Sequence, residues 1–176
     1  MKLKVFLGML IAVMVLAACG AEGVEEDAGD DEETDAVAAA SFADDPEGLH
    51  AAAGEDGTWI IIPENDMTLD EDLVVTGTFY DGDDEDEGVY RKFAAYTQDD
   101  DRNIVDQWTI TVPTLVVESE NLNFQGGTVD GDVYVDADDF LLHETATVTG
   151  DVVFANEDFE ASADLDGTVE GDVSVE

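Results

Sequence analysis

The chain has 176 residues; 44% are apolar, 46 are acidic and only five are basic, for a formal net charge of −41. That length holds one domain with appendages, and the absence of a basic patch excludes a surface built to meet phosphates, so no nucleic-acid partner is expected. Cys19 is the single cysteine, which excludes a disulfide framework and a cysteine-based metal cluster.

The charge itself has two readings: an acidic patch for a cationic partner, or adaptation to high salt. At about 0.01 M salt the screening length is about 30 Å, so charges across a whole domain repel; at about 1 M it is about 3 Å, and only neighbours do. The acids run through every segment rather than one tail, which fits salt adaptation better.

In chain order, residues 1–18 read as a signal peptide. Lys2 and Lys4 form its positive end, and Val5 to Leu16 is an apolar run too short to span a bilayer comfortably. Leu16, Ala17 and Ala18 then precede Cys19 and Gly20. This box resembles the lipobox of bacterial lipoproteins. The resemblance implies that Cys19 receives a diacylglyceryl group, becomes the mature N-terminus and ties the protein to a membrane on its extracytoplasmic face. Buried acyl chains contribute about 0.8 kcal/mol per CH₂, so two long chains anchor stably. Without Lys2 and Lys4, the remaining bases are Arg91, Lys92 and Arg102.

Residues 19–57 have the composition of a disordered acidic tether, rich in Asp, Glu, Ala and Gly and poor in large apolar residues. A short helix around Asp35 to Ala40 is the most it offers, and His50 is expected to be solvated. From Thr58 the texture changes to short β-branched runs separated by Gly, Asp and Asn, with no 3.6-residue periodicity, so residues 58–176 are expected to be all-β. An acidic loop at 81–88 follows the strand at 72–80. Residues 89–98 and 103–112 look like two strands joined across Asp99 to Arg102.

Three nine-residue stretches then rhyme: GTVDGDVYV at 127–135, ATVTGDVVF at 146–154 and GTVEGDVSV at 167–175. Aligned on Gly-Asp-Val, they match Val129, Val148 and Val169; Val133, Val152 and Val173; and Val135, Phe154 and Val175. A period of about twenty residues with two or three short strands is the mark of a β-solenoid. Stacked coils would pile these nine side chains into internal ladders about 4.8 Å apart. Gly131, Gly150 and Gly171 are expected to let the chain turn where a Cβ is costly. Asp132, Asp151 and Asp172 are expected to bond turn amides. The 119 residues of 58–176 suffice for roughly six short coils. A β-sandwich with rhyming hairpins also fits the strand spacing.

The repeats resemble those of bactofilins, polymer-forming bacterial cytoskeletal proteins, and residues 90–135 are similar to those of bacterial surface proteins called bactofilin-like. The resemblance covers residues 58–176. It implies a right-handed β-helix and end-to-end assembly, hence a homo-oligomer or filament, and it carries over no catalytic residues. The sequence departs from cytosolic bactofilins in its lipobox, its acidity and its 81–112 region.

Little else points to chemistry. The two histidines are His50 and His143; His143, beside Glu144, reads as a turn residue rather than a general base. Paired carboxylates can hydrolyse glycosides, but among 46 acids some pair always lies close. No catalytic role is assigned, so the chain is not expected to be an enzyme. Asp81, Asp83 and Glu85 alternate as in a calcium loop, but Asp86 stands where that loop needs Gly. Weakly bound calcium is the one cofactor this pattern admits; no dedicated metal site is expected. Arg91 and Arg102 are expected to pair with nearby acids. By alternation Arg91 and Phe93 share one face while Tyr90, Lys92, Ala94 and Tyr96 share the other, and either face could be the inner one. The expected role is a lipid-anchored scaffold at the cell surface. The alternative is a ligand- or cell-wall-binding lipoprotein that uses divalent ions on an acidic face.

Overall fold

A computed structural model describes residues 40–176. Residues 1–18, Leu16 to Cys19 among them, lie outside the described residues, as does the tether from 19 to 39. The described residues are mostly strand, and the strands lie in parallel sheets. The first sheet has six strands, in the order β1 (Ala40–Ala43), β2 (Ile60–Pro63), β5 (Arg91–Ala94), β9 (Leu122–Gln125), β11 (Leu141–Leu142) and β14 (Asp164–Leu165). The second has eight. There β3 (Met67–Thr68) and β4 (Leu73–Val75) both pair with β8 (Thr109–Val117), which pairs with β10 (Thr128–Val135). On its other side β10 pairs with β12 (Thr147–Val148) and β13 (Val152–Phe154), which pair with β15 (Thr168–Val169) and β16 (Val173–Val175).

The repeats thus lie on one another in register. Val129, Val148 and Val169 are partners, as are Val133, Val152 and Val173, and Val135, Phe154 and Val175. Ile110 and Met67 extend the first column, and Leu115 and Leu73 extend the second. In the facing sheet Ile61, Phe93, Phe124, Leu142 and Leu165 form one column. Alternation sends these side chains to one side of each strand. Nearly all of them are sealed, with Ile61, Phe93, Leu142, Val148, Val152 and Phe154 at 0% exposure. Phe93 and Phe124 stack with ring centroids 5.0 Å apart. Each fully buried side chain of this size contributes about 1.5–3 kcal/mol. Parallel pairing does not fit the sandwich alternative, which needs antiparallel hairpins. Among the described strands only β6 (Tyr96–Gln98) and β7 (Ile104–Gln107) pair antiparallel.

Two expectations about the chain's course are corrected. Residues 89–98 and 103–112 are not a simple hairpin: β5 and β8 belong to the parallel sheets, and the hairpin is confined to β6 and β7. Nor does the second strand stop at 112: β8 runs on through Pro113 to Val117. Pro113 lies where β8 carries one residue more than β10, a bulge that tolerates its missing N–H.

The domain also begins earlier than Thr58. β1 pairs with β2 from Ala40 to Ala43, so the six-stranded sheet owes its first strand to the expected tether. Helix α1 (Pro46–Ala53) follows. Asp45 caps it by accepting from Gly48 N at 2.7 Å, and Pro46 opens its first turn. Leu49, Ala52 and Ala53 are buried against the first strands. The helix forms because a cap, a proline and an i, i+3, i+4 apolar stripe coincide, which offsets the ordering entropy that acidity alone could not. Ala40 begins β1 rather than ending a helix, and His50 sits half-buried in the last turn of α1.

Candidate assembly surface

The two ends of the stack differ in how far their cores are covered, and Arg91, on the third strand of the six-stranded sheet, ties α1 over the first of them. It lies on the inner face of β5 with Phe93 and is 0% exposed. Its guanidinium does not pair with acids as expected. It donates to the carbonyls of Ala53 (2.9 Å), Ala52 (2.8 Å), Gly54 (3.0 Å) and Thr76, and to the Ser119 hydroxyl (3.2 Å). Its Cζ stands 4.0 Å from the centroid of the Phe79 ring. The reason is helical: carbonyls at a helix C-terminus lack intrahelical donors and carry partial negative charge. Burial pulls the Arg91 pKa down to about 10, so it stays charged at neutral pH. Arg102 occupies the exposed tip of the β6–β7 loop with φ of 64°, and its backbone N–H donates to Asp99 O at 2.9 Å.

The opposite end is open. In the last layer Leu165, Val169 and Val175 are only half-buried, and Val173 is 45% exposed, whereas Leu142, Val148, Val152 and Phe154 one layer inward are at 0%. Val173 was expected in the core. It is exposed because β16 pairs with β13 on one side and with no described strand on the other. Helix α2 (Glu157–Ser162), started by Asn156 accepting from Asp158 N and Phe159 N, packs Phe159 beside this end without covering it.

The Gly-Asp pairs of the repeat tie consecutive layers together. Asp132 Oδ1 accepts from Asp151 N at 2.9 Å, and Asp151 Oδ1 accepts from Asp172 N at 2.8 Å. The aspartates therefore bond the amide of the following layer, not a local turn. The glycines serve the same approach. A Cβ on Gly150 would lie 2.3 Å from Asp132 Oδ1 and 2.4 Å from Gly131 O. Gly150 and Gly171 do not have positive φ, so close stacking rather than turning is what requires them. Beyond Asp172 no described amide continues the series. Five exposed acids, Asp164, Asp166, Glu170, Asp172 and Glu176, surround the apolar edge. Tyr134 donates to Glu176 Oε2 at 3.0 Å, and that bond raises the phenol's pKa.

The remaining candidates do not converge. Asp81, Asp83 and Glu85 lie on two exposed 3-10 turns, at 81–83 and 85–87. Among the described residues no three His, Cys, Asp or Glu side chains gather to hold a metal ion. His143 Nδ1 lies 2.8 Å from Thr145 Oγ1 and accepts from Thr145 N at 3.2 Å, and the turn is tied to the preceding layer by Gly126 N donating to Thr145 Oγ1 at 3.2 Å. Trp59 and Trp108 are half-buried, with indole N–H groups that lack partners among the described residues. No described helix is long and apolar enough to cross a membrane. Sequence reasoning missed α1 and Arg91's part in tying it over the first end; the signal for the helix was Asp45-Pro46-Glu47 ahead of Leu49, Ala52 and Ala53. Comparison with protein families, with curated proteins and with solved structures gave no match.

Proposed function

We propose that the chain is a lipid-anchored scaffold whose parallel sheets are the faces of a right-handed β-solenoid, and that it works by joining copies at the open end. One observation carries the reading: α1 packs over the core at the first end, whereas at the last the apolar columns finish uncovered, with Val173 45% exposed on a strand edge. An unpaired edge with an apolar centre favours pairing with another edge. The first strands also have edges with no described partner, but Leu73 and Val75 there are sealed at 0% exposure, so pairing is favoured at the last layer, where two copies meet edge to edge about a twofold axis and growth stops at a pair. The acids around the edge oppose this in dilute buffer. At about 1 M salt the screening length falls to about 3 Å and the pair becomes favourable. Anchoring at Cys19 would hold such pairs at a membrane's outer face.

The test is sedimentation equilibrium on the unacylated chain from Gly20 onward, from about 0.1 to about 3 M NaCl. The mass should double with salt and then stop rising, and Val173→Asp should keep it monomeric. A monomer at every salt concentration would remove the reading.

A further inference from the structure

The outer face of the six-stranded sheet carries a recess that pairing at the open end does not use. It measures about 310 Å³. Its floor is Phe42 on β1, Ile60 and Ile62 on β2, and Lys92 and Ala94 on β5; the β6 strand, beginning at Tyr96, forms its wall. These positions alternate with Ile61 and Phe93, which point into the core at 0% exposure. An outward sheet face is normally polar, yet over β1 and β2 this one carries Phe42, Ile60 and Ile62, and Phe42 is 50% exposed.

The one charged group in the recess is a cation. Lys92 Nζ donates to Tyr96 Oη at 2.9 Å and lies 5.4 Å from that ring's centroid. Only three bases occur among the described residues. Arg91 is sealed inside and Arg102 is at a loop tip, so Lys92 is the one set among apolar walls. An ammonium has three donors, and among the described residues one is used, by a phenol rather than by any of the many carboxylates. The Tyr96 hydroxyl accepts from Lys92 and keeps its own hydrogen to give.

The geometry points to a binding site for a small apolar monocarboxylate. Its ring or short chain would lie on Phe42, Ile60 and Ile62, and its carboxylate would accept from Lys92 Nζ and Tyr96 Oη. One ammonium and one hydroxyl match a single carboxylate. A phosphate would leave hydrated oxygens against isoleucine and phenylalanine, and an amine would meet like charge. The volume is at the small end of the roughly 300–1,000 Å³ typical of ligand pockets, and the mix of apolar walls with few polar groups is typical as well. The recess spans β1, β2 and β5, whereas the open end is β14 to β16, so pairing there leaves it free.

The test uses three matched probes, phenylacetate, phenylacetamide and phenethylamine, titrated into the unacylated chain from Gly20 onward and followed by amide NMR shifts. Salt is set at about 1 M, where the chain's general repulsion of anions is screened beyond about 3 Å but a direct contact survives. Phenylacetate should bind about fivefold to tenfold tighter than phenylacetamide, as a charge-assisted bond exceeds a neutral one. Phenethylamine should be weakest, and shifts should centre on Ile60–Ile62, Lys92–Ala94 and Tyr96–Gln98. Lys92→Met should erase the preference for the carboxylate while phenylacetamide still binds. Tyr96→Phe, which keeps the ring, should reduce that preference in part. The site is overturned if phenethylamine binds as well as phenylacetate or if the preference survives Lys92→Met. It is equally overturned if shifts centre elsewhere, or if nothing saturates because a second copy or another part of the chain fills the recess.

Discussion

Replacing Arg91 with methionine tests what holds α1 over the first end of the stack. Four carbonyls lose a donor. Ala53 O still accepts from Thr76 N at 3.0 Å, and Gly54 O from Gly57 N at 3.2 Å, but Ala52 O and Thr76 O keep no other partner among the described residues. Each buried unpaired carbonyl costs about 1–3 kcal/mol. Against this, the variant no longer holds a cation out of water, the cost that pulls the Arg91 pKa down. A net loss of about 2–3 kcal/mol follows. Arg91→Lys should do no better, because a lysine keeps the buried charge but lacks the planar fork that reaches five acceptors. Urea unfolding gives the loss, and hydrogen exchange gives its place: amides from Leu49 to Gly54 should gain exchange well before those of β10. If lysine restored stability, or if exchange rose evenly through the stack, charge rather than the fork would be the cause and the reasoning would fail.

The close stacking of layers predicts a contrast between two glycines. Gly150→Ala forces a Cβ into Gly131 O and Asp132 Oδ1 and should cost about 1–3 kcal/mol or more in urea unfolding. Gly82→Ala, with φ of 63° and nothing within 4 Å of its Cβ, should cost about 1–2 kcal/mol from backbone strain alone and leave urea m-values unchanged. For pH, the Asn103 side chain and backbone N–H hold the Asp99 pKa below its ordinary 3.8. A lowered folded pKa means that this contribution is present above 3.8 and is lost as pH falls through the folded value. A carbon-13 titration should place the Asp99 midpoint below 3.8, and Asn103→Ala should move it part of the way back.

The repeated layers were legible because parallel stacking writes itself into sequence. A column such as Val133, Val152 and Val173 repeats one residue type after 19 and then 21 residues, and the register holds while the connection between strands absorbs the extra two. The ends were not legible for the same reason: an end is where the repeat stops applying. Val173 has the sequence of a core residue and lacks only a further layer. Arg91 reads as one of two inward candidates on a strand, and its partners are carbonyls, which every residue carries and no side-chain pattern reveals. Residues 40–53 were hidden by composition, since the acids of that stretch face water while Ala43, Leu49, Ala52 and Ala53 supply the buried side. Lys92 and Tyr96 are four apart in sequence, but Phe42, Ile60 and Ile62 join them only through the parallel order of β1, β2 and β5.

In-register stacking also sets a limit on acidity, because a repeated acid is placed over its own copies. Asp132, Asp151 and Asp172 occupy successive layers about 4.8 Å apart, and each neighbour costs roughly 1 kcal/mol of repulsion in water. The bond from each carboxylate to the next layer's amide offsets this, since hydrogen bonds to charged groups contribute about 1.5–3 kcal/mol against about 0.5–1.5 for neutral ones. Asp151→Asn keeps the acceptor for Asp172 N and removes the charge between two neighbours. In dilute buffer it relieves about 2 kcal/mol of repulsion and gives up about 1 kcal/mol of charge assistance, so it should stabilise slightly. At about 1 M salt the repulsion is mostly screened while the contact is not, so the same substitution should destabilise. Urea midpoints of the two proteins should therefore cross as salt rises. Parallel curves would mean that the carboxylates do not feel one another, and that the aspartates are kept by the repeat for some purpose other than joining its layers.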